Sequence, residues 1–513
     1  MATHGMPVLK KLLITVVVLI AILLILPFFI NVDRYRPEII SEIESRTARR
    51  VEMGRLSVRF LPKISVVVED FALGNPAGFP SGNFVTAAKV SANLEIGPLL
   101  HHRIVVESVE IQKPVITLLS KGEQWNFASP AANTIRRASY SIPFQTTVDE
   151  VVISGAHIIL AQVLGSGEAG PPVLDATDAR IDLKPVDLGT LVAPASLSPS
   201  RTSTGIRLRL VRLEGGSGLP ATSPNQVTAQ GSLSAKVVRY GQVNLTNLKS
   251  NVALDPAMLS LNPFSFEVFA GKGAGNFQMS LARGNSPYRV SLNLTGVDVA
   301  TLMAAFPGGS GKMTGNLNAT CLFSGDFAGR PNPWVGKQAN GNLTIVRGRV
   351  PDLKLNRNIL QMMKIAGLGP TSGDITSFSS ISADFELHGG LLMSRTITLL
   401  GNGLNATAQG NTDLNRAPDP TLNYIGVARV KAAATPLTNA LSSLVRVPIH
   451  NGMVDLPFRV TGTLNQPKFD VQPPSGLPAG LTGTGTTKST PNSPTNLIQG
   501  LMGLFGKKQP TKR

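Results

Sequence analysis

Ser291-Leu292-Asn293-Leu294-Thr295 sets two leucines on one side of an extended chain and Ser, Asn and Thr on the other, because successive side chains of a β-strand point to opposite faces. The same alternation recurs at Gly205-Ile206-Arg207-Leu208-Arg209-Leu210, Asn316-Leu317-Asn318-Ala319-Thr320 and Asn342-Leu343-Thr344-Ile345. Gly241, Gly315 and Gly341 are read as turn residues separating such runs. From Val51 to about Gln472 this period of two dominates, so the expected fold is mainly β, an elongated antiparallel sheet with one wet face. Five Asn-x-Thr triplets, at Asn244, Asn293, Asn318, Asn342 and Asn405, are by-products of the alternation, with Asn and Thr as its polar teeth.

An internal echo extends the pattern. Met258 through Asn276 and Met393 through Asn411 each read as a strand, a glycine-bearing turn and a second strand. Repetition of such a unit predicts a sheet that grows along one axis. Helical spacing interrupts it only at Val297 to Phe306, Asp352 to Ala366 and Thr435 to Val445, which are expected to cap edges or ends of the sheet.

The 513 residues exceed what a single core organises. Lys+Arg 48 against Asp+Glu 31 leaves +17, a balance that suits anionic partners such as phospholipid headgroups, lipopolysaccharide or nucleic acid. Nucleic acid is set aside, because the basic residues are spread out, aromatics are 5% of the chain and no recognition motif is present. A lone cysteine, Cys321, excludes an internal disulfide framework and any multi-cysteine metal site.

Residues Leu12 to Val32 carry no charge and are nearly all apolar; as a helix they reach roughly 31 Å at about 1.5 Å per residue. Leu12, Leu13, Ile14, Leu19, Ile20, Leu23, Leu24, Phe28 and Phe29 are the expected anchor residues, preceded by Lys10 and Lys11 and followed by no small-x-small cleavage site. The expected organisation is a cytoplasmic stretch 1–11, a transmembrane signal anchor 12–32, an N-terminal region 33–135, a β-rich body 136–472 and a Pro/Gly/Thr/Ser tail 473–513 that ends in a short apolar-basic segment. Asp33 to Arg50 reads as a short helix, with Asp33 as cap, Pro37 early, and Ile39, Ile40 and Ile43 on one stripe.

Motifs that carry chemistry fail their context. Gly165-Ser-Gly-Glu-Ala-Gly170 is followed by Pro171-Pro172 where a phosphate-binding helix would start, so it is a loop. Gly308-Gly-Ser-Gly-Lys312 lacks the full phosphate-loop spacing and its Ser or Thr. His4, His101, His102, His157, His388 and His450 have no ligand spacing, and Cys321 sits in an alternating strand as a packed thiol. The expectation is a protein that is not an enzyme and takes no cofactor and no metal.

Beside that reading stands a resemblance. Tyr35-x-Pro37-Glu-Ile-Ile, Thr47-Ala-Arg49-x-Val51, Leu61-Pro62, Val68-Glu-Asp70-Phe-Ala-Leu-Gly-Asn-Pro76, Leu94-x-Ile-Gly-Pro98, Val109-x-Ile-x-Lys-Pro114-Val and Gln124-Trp125-Asn126 look like the N-terminal region of the AsmA family of bacterial envelope proteins in order and spacing. Ile381-Ser-Ala-Asp-Phe-Glu-Leu-x-Gly-Gly390 and Leu456-Pro457 through Gly462 to Pro467 resemble that family's closing segments. Ala48 departs from the pattern, standing where the family often has Gly, and a shifted turn geometry is expected there. The resemblance implies a single-pass inner-membrane protein with a periplasmic β-rich body, similar to larger bridge-like relatives that move glycerophospholipid along an apolar groove and support outer-membrane composition.

Bent into a trough, such a sheet turns its apolar teeth inward to acyl chains, and Ile206, Leu208, Leu210, Leu292, Leu294, Leu317, Leu343 and Ile345 are the candidates to line it. The same residues also suit the core of a closed sandwich. Two functions therefore remain open: binding or transfer of phospholipid or other envelope lipids, and a tethered scaffold that assists outer-membrane protein assembly through strand addition at a sheet edge.

Overall fold

The computed structural model describes residues 32–60, 63–99, 105–122, 124–127, 147–187, 228–255, 257–281, 286–305, 311–327, 332–350, 377–416, 419–431, 449–450, 453–464 and 466–471. The anchor expected over 12–32, apart from Val32, lies outside them, as do Ile206, Leu208 and Leu210, the helices expected at 352–366 and 435–445, and the tail. Among the described residues no helix is long and apolar enough to cross a membrane.

The described chain is mainly β, with few helices. A single 3₁₀ turn, Val32–Tyr35, leads into α1, Arg36–Thr47. Pro37 sits in the first turn as expected, where its missing N–H costs no hydrogen bond. Asp33 does not cap this helix; Tyr35 holds the cap position without a side-chain bond, and the Asp33 carboxylate instead accepts the N–H of Leu56 at 3.0 Å and pairs with Arg36 at 3.6 Å. Ala48 ends the helix in the left-handed conformation, φ 52 and ψ 34, donating its N–H to Glu44 O at 2.8 Å. Alanine thus adopts the left-handed geometry that glycine takes without strain.

The strands that follow are β1 (Val51–Glu52), β2 (Leu56–Arg59), β3 (Ser65–Gly74), β4 (Asn83–Leu94), β5 (Val106–Gln112), β6 (Val115–Lys121), β7 (Gln124–Trp125), β8 (Thr147–Val148), β9 (Glu150–Val163) and β10 (Ala169–Asp187). A short helix, α2 (Ile96–Leu99), lies between β4 and β5. Then come β11 (Thr228–Tyr240), β12 (Val243–Leu254), β13 (Met258–Val268), β14 (Gly271–Ser280) and β15 (Tyr288–Asp298), the helix α3 (Val299–Ala304), and β16 (Thr314–Gly325) and β17 (Gln338–Arg349). The last strands are β18 (Ser377–His388), β19 (Leu391–Gly401), β20 (Leu404–Asp413), β21 (Thr421–Lys431), β22 (Ile449–His450), β23 (Met453–Gly462) and β24 (Pro467–Val471).

The described residues divide into two compact units, one running to Asp298 and taking in Asn318–Gly341, the other made of Val299–Leu317 and the chain from Asn342. In the first, β1 and β2 both pair with β3, and the ladder continues through β4 to β5 and β6, then β9, β10, β11, β12, β13, β14 and β15. Neighbours are antiparallel except where β5 and β6 run parallel to β9. Lys113 and Gly155, both at positive φ, face each other at that junction, where Lys113 N–H donates to Ser154 O at 2.7 Å and His157 N–H to Pro114 O at 2.8 Å. The double bulge lets one long strand, β9, serve two partners in turn. In the second unit the ladder is β18, β19, β20, β21, β23, with β22 and β24 on the far side of β23.

Two turn assignments are corrected. Gly241 does lie in the β11–β12 turn, at φ 57, but Gly315 and Gly341 lie inside β16 and β17. Gly315, at φ 137, leaves room for the Ile345 side chain, whose Cγ2 would stand 2.8 Å from an added Cβ. The β13–β14 turn is made by Phe269 and Ala270, at φ 45 and 61, and the glycines 271, 273 and 275 belong to β14. Residues 165–168 form the expected loop between β9 and β10, but Ala169 and Gly170, the end of that motif, already belong to β10.

Candidate functional site

Strands β11 to β15 carry a one-sided apolar surface. Cross-strand register aligns Leu233 with Ser250, Ser250 with Phe264, Phe264 with Gly275 and Gly275 with Leu292. A parallel row aligns Gly231, Val252, Leu261, Phe277 and Val290. Arg289, Asn293, Thr295, Asn276 and Gln278 occupy the opposite face and are exposed, as the alternation requires.

The glycines of β14 have a packing role. A Cβ on Gly273 would run into the Phe266 ring, and one on Gly275 would meet Phe264. Both rings lie down across their cross-strand glycines, stacked with centroids 6.0 Å apart, and are buried. In the second unit Phe378 covers Gly348, Tyr424 Gly410 and Phe458 Gly426 in the same way. Aromatic–glycine pairing fixes register and flattens bulky side chains on the sheet.

Most of the apolar teeth in the first unit are only half-buried: Leu233, Val252, Leu261, Phe277, Val290, Leu292 and Leu294 fall in this class. Each unit also holds a packed cluster: Ala156, Ala176, Ala179, Ala235 and Val238 in the first, and Ala428, Val430 and Val454 with Leu404, Leu456, Phe458 and Val460 in the second. Of the sequence candidates, Leu292 and Leu294 lie two apart on the inward face of β15, opposite Gly275 and Gly273. Leu317, 8% exposed, and half-buried Leu343 and Ile345 lie on the apolar sides of β16 and β17, in the second unit.

The first unit's surface is bounded by contacts that sequence reasoning missed. Trp125, which β7 holds beside the end of β6, donates its indole N–H to Ser286 Oγ at 3.1 Å, spanning 161 positions. Its ring sits 5.3 Å from Phe127 and 5.5 Å, edge-on, from Phe327. Phe327 lies 4.7 Å from Tyr288, which in turn stacks on Phe277 and Phe323. Trp125 sits at the strand-end level of Ser120 and Gln162, whereas Ser286 precedes the start of β15. The sheet therefore curls until ends of strands that are not neighbours meet. Burial, with Tyr240 and Asp326 adding to it, pushes the Tyr288 hydroxyl up to about 12.

Next to Trp125 is a buried polar knot built from three separate motifs. Asn126, fully buried, accepts Leu119 N–H on Oδ1 at 2.8 Å and donates from Nδ2 to Asn75 Oδ1 at 2.8 Å and Thr117 O at 2.7 Å. Its main-chain oxygen receives Arg49 Nη2 at 2.7 Å. The Arg49 guanidinium lies 5.0 Å from the Phe84 ring centroid. Cys321 is half-buried, and burial pushes its thiol pKa up. His157 pairs with Asp175 at 2.8 Å across β9 and β10.

Strands β11 to β15 of the first unit thus form a one-sidedly apolar antiparallel sheet, and the same unit holds α1 and the Arg49–Asn126 tie. The model of the AsmA family matches residues 5–162 and 214–397, and the chain belongs to that family. No curated protein and no solved structure matches the chain. The matched stretches contain the Arg49, Asn75 and Asn126 knot, Trp125, Lys337 and all of β11 to β17. Leu456 to Pro467 lies beyond them.

Proposed function

We propose that the chain is a membrane-anchored periplasmic protein that binds or transfers phospholipid along the apolar face of its first unit, in support of outer-membrane lipid homeostasis and envelope assembly. The observation that carries this reading is the pair of inward rows over β11–β15, apolar but for Ser250, in which Leu233, Val252, Leu261, Phe277, Val290 and Leu292 are only half-buried. Neighbouring strands about 4.8 Å apart make a row across these strands about 19 Å long, comparable to an extended acyl chain. Every methylene withdrawn from water there contributes about 0.8 kcal/mol, so no hydrogen bond is needed to hold a chain and none hinders its sliding. The sheet is thus read as a curved trough, with the Trp125 cluster closing one of its corners. Lipid movement of this kind needs no catalytic group, no cofactor and no metal, and nucleic acid is not a partner.

The alternative, a scaffold that captures polypeptide by strand addition, is less well supported by the edge available. Among the described residues β24 pairs only with β23, but it is five residues long, starts at Pro467 and shows Lys468 and Asp470 to solvent. Proline, charge and shortness are the devices that keep an edge from recruiting strands.

Lipid mass spectrometry on the exported chain purified without detergent tests the reading. Stoichiometric phospholipid that is lost in a folded Leu294→Asp variant supports it. A folded, lipid-free wild type shifts the account to the scaffold.

A further inference from the structure

On the first unit's apolar face a lysine stands at the rim, beside the ends of the parts of β16 and β17 that belong to this unit. Lys337 precedes β17 by one residue and shares the parity of Ala339 and Gly341, which face inward. An added Cβ on buried Gly325, at the end of β16, would lie 3.0 Å from Tyr288 Oη and 3.2 Å from Lys337 Cγ. Tyr288, Gly325 and Lys337 therefore sit side by side at the ends of three strands, in line with Met279 of β14.

This lysine is poorly provided for. It is half-buried, its ammonium lies 6.0 Å from the Trp334 ring centroid, and no acceptor among the described residues is within hydrogen-bond reach of it. Burial pushes its pKa down, and Asp326 nearby offsets part of that. A desolvated, unsatisfied cation on an apolar surface is unfavourable unless something else satisfies it. The Lys337 stem and the Tyr288 hydroxyl flank Gly325, so a side chain with a mobile ammonium and a phenol, both donors, stand together beyond the row that aligns Phe277 with Val290.

We propose that Lys337 and Tyr288 form a phosphate-binding site for the headgroup of the lipid whose acyl chains lie on the apolar face. This rests on the trough reading and adds to it a polarity: headgroup at the β15–β17 rim, chains toward β11. The phosphate supplies the acceptors that Lys337 lacks, and the ring of Tyr288 packs against the first methylenes while its hydroxyl donates.

The test uses the full chain in living bacterial cells grown on ³²P-orthophosphate, with a photoreactive phenylalanine analogue in place of Val290, irradiated and read as ³²P on the protein. Wild type and Lys337→Arg are expected to label, while Lys337→Met falls about tenfold or more, the loss expected for a charged hydrogen bond. Tyr288→Phe falls less. Lys337→Met also removes a desolvated charge, so its melting temperature should hold or rise, whereas a merely structural lysine would lower it. Full labelling of a folded Lys337→Met variant overturns the headgroup site and leaves the trough standing. A wild type that takes no label overturns the trough itself. In isolated membranes, competition by millimolar inorganic phosphate alone would overturn the assignment to a lipid-borne phosphate.

Discussion

Arg49 donates from Nη2 to the main-chain oxygen of Asn126 at 2.7 Å, joining two residues 77 positions apart inside a buried polar knot. The bond links the end of α1, the segment that follows the expected anchor, to the turn that carries Trp125. α1 is thereby tied to the corner where Trp125 meets Ser286 and Phe327.

Asn126→Ala removes a buried amide that bonds Leu119, Thr117 and Asn75 and leaves those partners unsatisfied. A loss of about 3 kcal/mol or more is expected from such groups together. Urea unfolding followed by Trp fluorescence measures it; a loss near zero would mean that the knot is not structural. Arg49→Lys should recover little, because an ammonium cannot reproduce the fork that both donates to Asn126 and lies over Phe84.

Ala48 occupies a left-handed helix end at φ 52. Ala48→Gly should raise stability by about 1 kcal/mol, and Ala48→Val should lower it by at least as much. The pair of melting temperatures checks the sign.

Gly273→Ala should destabilise by about 1–3 kcal/mol, since the new methyl meets the Phe266 ring lying across that position. Ala274→Ser, on the exposed face of the same strand, is the control and should be neutral. Phe266→Leu combined with Gly273→Ala should restore part of the loss, and a strictly additive pair would contradict the ring-over-glycine packing.

Alternation made much of this fold legible in advance. Leu292, Asn293 and Leu294 fall on the faces their spacing assigns, and the Asn-x-Thr asparagines at 244, 293, 318 and 342 point to solvent. The turns were less legible, because Phe269 and Ala270 adopt left-handed angles without glycine while Gly273 and Gly275 serve aromatic packing. The parallel joins of β5 and β6 to β9 leave no local signal. Trp125 meets Ser286 only through the curl of the first unit's sheet, and Lys337 and Tyr288 are brought to either side of Gly325 only by strand pairing, neither of which a window of sequence contains. The Arg49 and Asn126 motifs were visible as words, and their contact was not.

Tyr288 gives a pH signature. Its hydroxyl is raised to about 12 by burial, against an ordinary value of 10.0. The folded state thus holds the proton that the unfolded state releases first, so this contribution is complete below pH 10 and is lost as pH rises toward 12. Phenolate absorbance should show a late titration step that Tyr288→Phe removes; a step near 10 for Tyr288 would contradict its packing between Phe277, Phe323 and Phe327.

The central claim is that one face of the first unit meets lipid and the other meets water, and β15 tests it residue by residue. A photoreactive side chain placed in turn at positions 289 to 294 of the full chain, in ³²P-labelled cells, should give labelled adducts at 290, 292 and 294 and none at 289, 291 and 293. Labelling without that period of two, or none at any position, would contradict a lipid-bearing apolar face.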